Sequence, residues 1–159
     1  MGPRVLVRQM ISRQFRLQAA YVERDAVTNK SMYSVLALAQ DVHLGLVLAL
    51  LNSRLMSWYF LTRSQVGQRD DFPKIVLKEL RSLPMPAVTA MSQHCDGLVL
   101  ELADASLRLQ SLVEAREASP SPDAAERADR EIQNLDRQID RGVYELFGLG
   151  PEDMSVVGS

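Results

Sequence analysis

Residues 44–75 read LGLVLALLNSRLMSWYFLTRSQVGQRDDFPKI, and the reading of this stretch decides the fold. Leu44, Val47, Leu48, Leu51, Leu55, Trp58 and Tyr59 recur at steps of three and four, which puts them on one face of an α-helix; Leu46 and Leu50 widen that face. The spacing predicts a largely buried helix that fades near Arg63, with Asp41 as N-cap and Gly67 ending the segment. The chain then turns polar, RSQVGQRDD, before Phe72-Pro73-Lys74-Ile75, where Pro73 biases Phe72 towards extended angles. An oily helix that passes so abruptly into a charged loop reads as a rigid scaffold displaying a contact surface.

Upstream of the helix the period changes to two. RVLVRQMI (4–11) sends Val5, Val7 and Gln9 to one side and Leu6 and Met10 to the other, the alternation of a strand. FRLQAAYV (15–22) puts Phe15, Leu17, Ala19 and Tyr21 on one face against Arg16 and Gln18 on the other. The short polar Ser12-Arg13-Gln14 between them predicts a hairpin. A turn at Thr28–Ser31 leads into a third strand over Met32–Leu38. Downstream, VLKELRSL (76–83) predicts one or two helical turns, and the proline-stiffened LPMPAV (83–88) marks a boundary near residue 87.

Residues 88–118 carry a second long helical pattern, with Leu98, Leu102, Ala105, Leu109 and Leu112 at heptad spacing. SPSPD (119–123) breaks it, and Ser121-Pro122 supply an N-cap and first position for a further helix. Ala125, Ala128, Ile132, Leu135, Ile139, Gly142 or Val143, and Leu146 continue the heptads, so the two helices should fold as an antiparallel hairpin. The tail FGLGPEDMSVVGS (147–159) should cap the hairpin and then fray. Leu100 and Leu107 lie off the seam, which predicts packing against more helices from this chain, a second copy or a partner. The expected fold class is α+β: a small β-rich domain with one buried helix over residues 1–87, then a coiled-coil-like hairpin and tail over 88–159.

Composition bounds the function. With 159 residues, 47% hydrophobic and 24% charged, the chain can bury a real core. The longest apolar run, Leu46–Leu51, falls far short of the ~20 residues a bilayer span needs. Residues 1–20 lack the apolar stretch of a signal peptide, so the expected compartment is the cytoplasm, with no membrane partner. The single cysteine, Cys95, supports neither an internal disulfide nor a metal cluster. The net charge of −2 hides a split: residues 1–87 hold twelve Lys/Arg against six Asp/Glu, and residues 88–159 six Arg against fourteen Asp/Glu. A basic half suits a polyanion, because Lys and Arg displace the counterions of phosphates.

Catalytic patterns are missing. There is no glycine-rich phosphate cradle, no methyl-donor loop and no Asn-Pro-Pro-aromatic motif. His43 and His94 have no neighbouring ligand pattern, and Ser53 and Ser64 no nucleophile elbow. Asp70-Asp71 with Lys74 is only weakly like a metal-dependent nuclease site, since all three lie in one short loop. The chain is therefore expected not to be an enzyme by itself and to need no cofactor.

Polar residues suited to nucleic acid gather in three places: RQMISRQFR (8–16), TNKS (28–31) and RSQVGQRDDFPK (63–74). Arg can bond guanine through two hydrogen bonds, and Gln can do the same with adenine. The expected DNA-contacting set is Arg8, Arg13, Gln14, Arg16, Asn29, Lys30, Arg63, Gln68, Arg69 and Lys74, although each taken singly also reads as solvated surface. Asn52 and Ser53 are expected to bond backbone rather than bases.

Four segments in order, VLVRQMISRQFRLQAAYVERDAVTNKSMYSV, LGLVLALLNSRLMSWYF, FPKIVLKELRSLPMP and EIQNLDRQIDRGVYELFGLGPEDMSVV, resemble the TaqI-like C-terminal specificity domain. That domain ends many adenine-methylating restriction–modification proteins, including type IIG fusions and phage-defence methyltransferases. The plan is also similar to half of a type I specificity subunit. Asn52-Ser53, Phe72–Ile75, Leu83–Pro86 and the ending Leu135-Asp136 through Tyr144–Leu149 carry the likeness best; the family's TNNS turn reads Thr28-Asn29-Lys30-Ser31 here. The resemblance implies that residues 1–87 belong to a target-recognition domain for double-stranded DNA, and that 88–159 form a helical spacer docking on a methyltransferase domain or subunit. The alternative is an assembly module that forms a homodimer through residues 88–146 and has no DNA role.

Overall fold

A computed structural model describes residues 2–25, 27–38, 42–64, 74–86, 96–118 and 121–157. Three short antiparallel strands, β1 (Arg4–Arg8), β2 (Ala19–Val22) and β3 (Met32–Val35), form a sheet of order β2-β1-β3. Val5 stands between Tyr21 and Val35, and Val7 between Ala19 and Tyr33. These six residues make the inner face of the sheet, where both valines are fully buried.

The helix read as continuous is two, α1 (Leu44–Asn52) and α2 (Arg54–Arg63), bent by 59° at Ser53. Ser53 adopts extended angles, donates its hydroxyl to the Leu50 carbonyl at 2.7 Å and accepts the Met56 N–H at 3.2 Å. One side chain thus ends the first helix and caps the second. Leu46, Leu48, Ala49, Leu50 and Leu51 of α1 and Leu55, Met56 and Phe60 of α2 are all buried. No single helix among the described residues is long and apolar enough to cross a membrane. After Ile75 comes a single turn, α3 (Leu77–Leu80).

The hairpin forms as its heptads predict, from α4 (Asp96–Ala118) and α5 (Pro122–Leu146). One face of α4 meets α5. The next face, Val99, Ala103 and Ser106, meets α1. Gly45 makes that crossing possible: a Cβ there would lie 2.9 Å from the Ala103 carbonyl oxygen, and Ser106 donates its hydroxyl to the Gly45 carbonyl at 2.6 Å. Val99, Leu102, Leu135, Ile139, Val143 and Tyr144 belong to the same buried cluster as the sheet and α1, so one core runs through both halves of the chain.

Other differences are local. Phe15, expected inside, is 64% exposed with φ of 56°, because residues 12–16 form a tight turn instead of continuing the strand. The third strand stops at Val35, leaving Leu36 and Leu38 exposed. The tail does not fray at once. Gly148, with φ of 66°, closes α5, and α6 (Pro151–Val157) returns to pack on α2. The expected cap Asp41 and helix end Gly67 lie outside the described residues, as do Asp70, Asp71, His94 and Cys95.

Candidate nucleic-acid interface

The end of β1 organises the candidate contacts. Beyond Arg8, the Gln9 N–H donates to the Ser31 carbonyl at 2.9 Å, and the Gln9 carbonyl accepts the Ile75 N–H at 2.7 Å. Met10 bridges Lys74 in antiparallel fashion. The segment after β1 is therefore held between the turn before β3 and Lys74–Ile75. This gathers Arg8, Lys30 and Lys74, all exposed, around one end of the sheet. Arg8 also bonds Gln18 Oε1 at 3.0 Å, which orients its guanidinium. Asn29 accepts the Ser31 N–H at 3.0 Å and also bonds the Ser31 hydroxyl, an Asx turn that fixes the loop carrying Lys30.

Arg63 is brought near this end less directly. Ser64, buried at the end of α2, donates its hydroxyl to Glu79 Oε1, and Glu79 Oε2 accepts the Val76 N–H at 3.4 Å beside Lys74. The Arg63 guanidinium carbon stands 5.7 Å from the Tyr59 ring centroid. Gln68 and Arg69 lie outside the described residues.

The turn over residues 12–16 presents Arg13 and Gln14 to solvent. It is closed by three bonds: Phe15 N–H to the Ser12 carbonyl at 2.9 Å, Ser12 N–H to the Arg16 carbonyl at 3.1 Å, and Arg16 N–H to the Ser12 hydroxyl at 3.0 Å. Arg16, expected among the DNA contacts, is engaged within the fold. Its guanidinium donates to the Asn52 carbonyl at the end of α1 and pairs with Asp136 of α5 at 3.3 Å. The arginine therefore bolts the exposed turn to two helices.

The hairpin clasps the first half through further polar contacts that the sequence reading missed. Asp140, buried on α5, accepts the Arg54 N–H at 2.8 Å and pairs with Arg54 Nε at 3.2 Å, so it caps α2 from a distant helix. Burial pushes the Asp140 carboxyl above its ordinary value, against the opposing pull of that N–H bond and of the Arg16 and Arg54 charges. The outer edge of β2 is sealed by two amides. Asn52 accepts the Ala19 N–H at 2.8 Å and donates to the Ala19 carbonyl at 3.0 Å; Gln110 of α4 does the same for Tyr21 at 2.7 and 2.9 Å. Asn52 and Ser53 thus bond backbone, as expected. The only hint of the α5 contacts in the sequence is that Asp136 and Asp140, four residues apart, flank Leu135 and Ile139 on the buried stripe.

The arrangement is that of a rigid α+β display unit: a sheet end with exposed cations on braced loops, backed by a helical hairpin. The profile of the TaqI-like C-terminal specificity domain matches residues 1–85, and the chain belongs to that family. It is also similar, at 33% identity over 84 residues, to a protein of Methanocaldococcus jannaschii assigned as a type II restriction enzyme and methyltransferase. That match takes in 52% of this chain and 7% of the larger protein. No solved structure matches.

Proposed function

We propose that the chain is a non-catalytic, cytoplasmic module that recognises a sequence in double-stranded DNA for a restriction–modification or phage-defence methyltransferase. The support for this reading is that Arg8 ends β1 and Lys30 and Lys74 lie on segments bonded to the residues just after it, all three exposed, with exposed Arg13 on the turn that follows, in a member of a specificity-domain family. Arg13, Gln14, Lys30, Lys74 and Arg8 form the contact set in this reading, with Asn29 shaping the loop and Arg63, Gln68 and Arg69 extending it. Arg16 acts by holding the turn. The acidic hairpin is the spacer that docks on a methyltransferase domain or subunit. A homodimer through residues 88–146 has less support, because one face of α4 is already spent on α1.

Arg13→Ala combined with Lys74→Ala tests the surface. Removing two phosphate contacts should weaken duplex binding and reduce the slope of log K against log salt by about two. Affinity and slope equal to those of the unaltered chain would refute the assigned surface. Metal-dependent cutting of DNA that disappears in Asp70→Ala would refute the non-catalytic part.

A further inference from the structure

We propose that Phe15 is a wedge that stacks on nucleobases, inserted at a base step by the turn that carries it; this rests on the DNA-recognition reading above. Phe15 is a large aromatic side chain left 64% exposed, and it stands outside the packed core. Its φ of 56° lies in the left-handed region, which a bulky L side chain avoids unless its surroundings hold it there. The surroundings do hold it. Ser12 and Arg16 close the turn, the Arg16 side chain fastens it to Asn52 and Asp136, and the Leu17 N–H donates to the Ser57 hydroxyl at 3.1 Å. Folding gains no core contact from this ring, yet spends a strained residue and six anchoring bonds on presenting it.

The neighbours identify the kind of surface it meets. Arg13 and Gln14 share the turn and are exposed, and Arg8 and Lys74 stand at the adjoining sheet end. An apolar protein groove would favour apolar residues around the ring. Cations and an amide beside one aromatic suit a polyanion whose interior is stacked aromatic bases. The arginines take the phosphates, and the ring slides against a base, where stacking tolerates many sequences. The fixed turn also lowers the entropy cost of insertion, because the ring is already aimed.

The test uses the whole chain and a random-sequence duplex pool carrying 2-aminopurine in place of some adenines, whose fluorescence rises on unstacking. The unaltered chain should raise the signal on saturation. Phe15→Ala should abolish the rise and weaken binding by about tenfold, while keeping the salt slope and the circular dichroism spectrum. Phe15→Trp should restore both. Phe15→Ala with unchanged affinity and an unchanged signal overturns the wedge while leaving the DNA reading intact, since Arg13→Ala would still flatten the slope. No binding by the unaltered chain even at low salt overturns the DNA reading and the wedge together.

Discussion

Asp140 shows how much a single residue decides. Only 5% exposed, it accepts the Arg54 N–H and so supplements the Ser53 cap of α2, and it holds a charge where water is scarce. Asp140→Ala should cost about 1–2 kcal/mol through the lost cap, whereas Asp140→Asn keeps an acceptor oxygen and should cost clearly less; urea unfolding of both variants measures the difference. The carboxyl is raised above its ordinary 3.8 in the folded chain. Between 3.8 and the raised value the folded state holds a proton that the unfolded state has lost, so this group's contribution to stability falls as pH rises through that window. The full penalty is present at neutral pH and is relieved on acidification. Unfolding free energies followed from neutral pH downward should therefore show the unaltered chain gaining on Asp140→Asn. A constant difference between the two would refute the assignment. At this scale the sequence was least legible. Arg16 looked like one more cation for DNA because its partner Asp136 lies 120 positions away, and Phe15 obeyed the alternation of a strand while its backbone left the strand altogether.

Elements were far more legible, because periodicity is local. Three strands, an apolar helical stretch and both heptad helices lie in the regions that period two and helical spacing mark, although β2 and β3 are shorter than the alternation suggests. The break at Ser53 escaped that reading, since apolar residues continue in phase on both sides and only the hydroxyl's choice of Leu50 and Met56 as partners breaks the helix. The crossing of α1 on α4 was equally invisible, because a glycine within a helix carries no period. Gly45→Ala forces a methyl group against the Ala103 backbone at 2.9 Å, and backbone does not move aside like a flexible side chain. The expected loss is about 1–3 kcal/mol, read as a lower denaturant midpoint at unchanged m-value; a midpoint within error of the unaltered chain would show that the helices separate freely.

For the whole molecule, the charge split was legible and its meaning only partly so. The basic first half and acidic second half are not merely joined end to end: among the described residues, opposite charges from the two halves meet at Arg16–Asp136 and Arg54–Asp140. The apolar core is shared as well, with Val99, Leu102, Ile139 and Val143 completing what the sheet and α1 begin. A fragment ending at residue 87 should therefore lack a cooperative unfolding transition, while the full chain unfolds in one step; a fragment with a sharp transition of its own would contradict the shared core. The two amides on β2 have a last consequence, for how the sheet may grow. With Asn52 and Gln110 occupying the hydrogen-bonding sites that another strand would use, lateral extension on that flank is blocked. The sheet is thereby closed against self-association along β2.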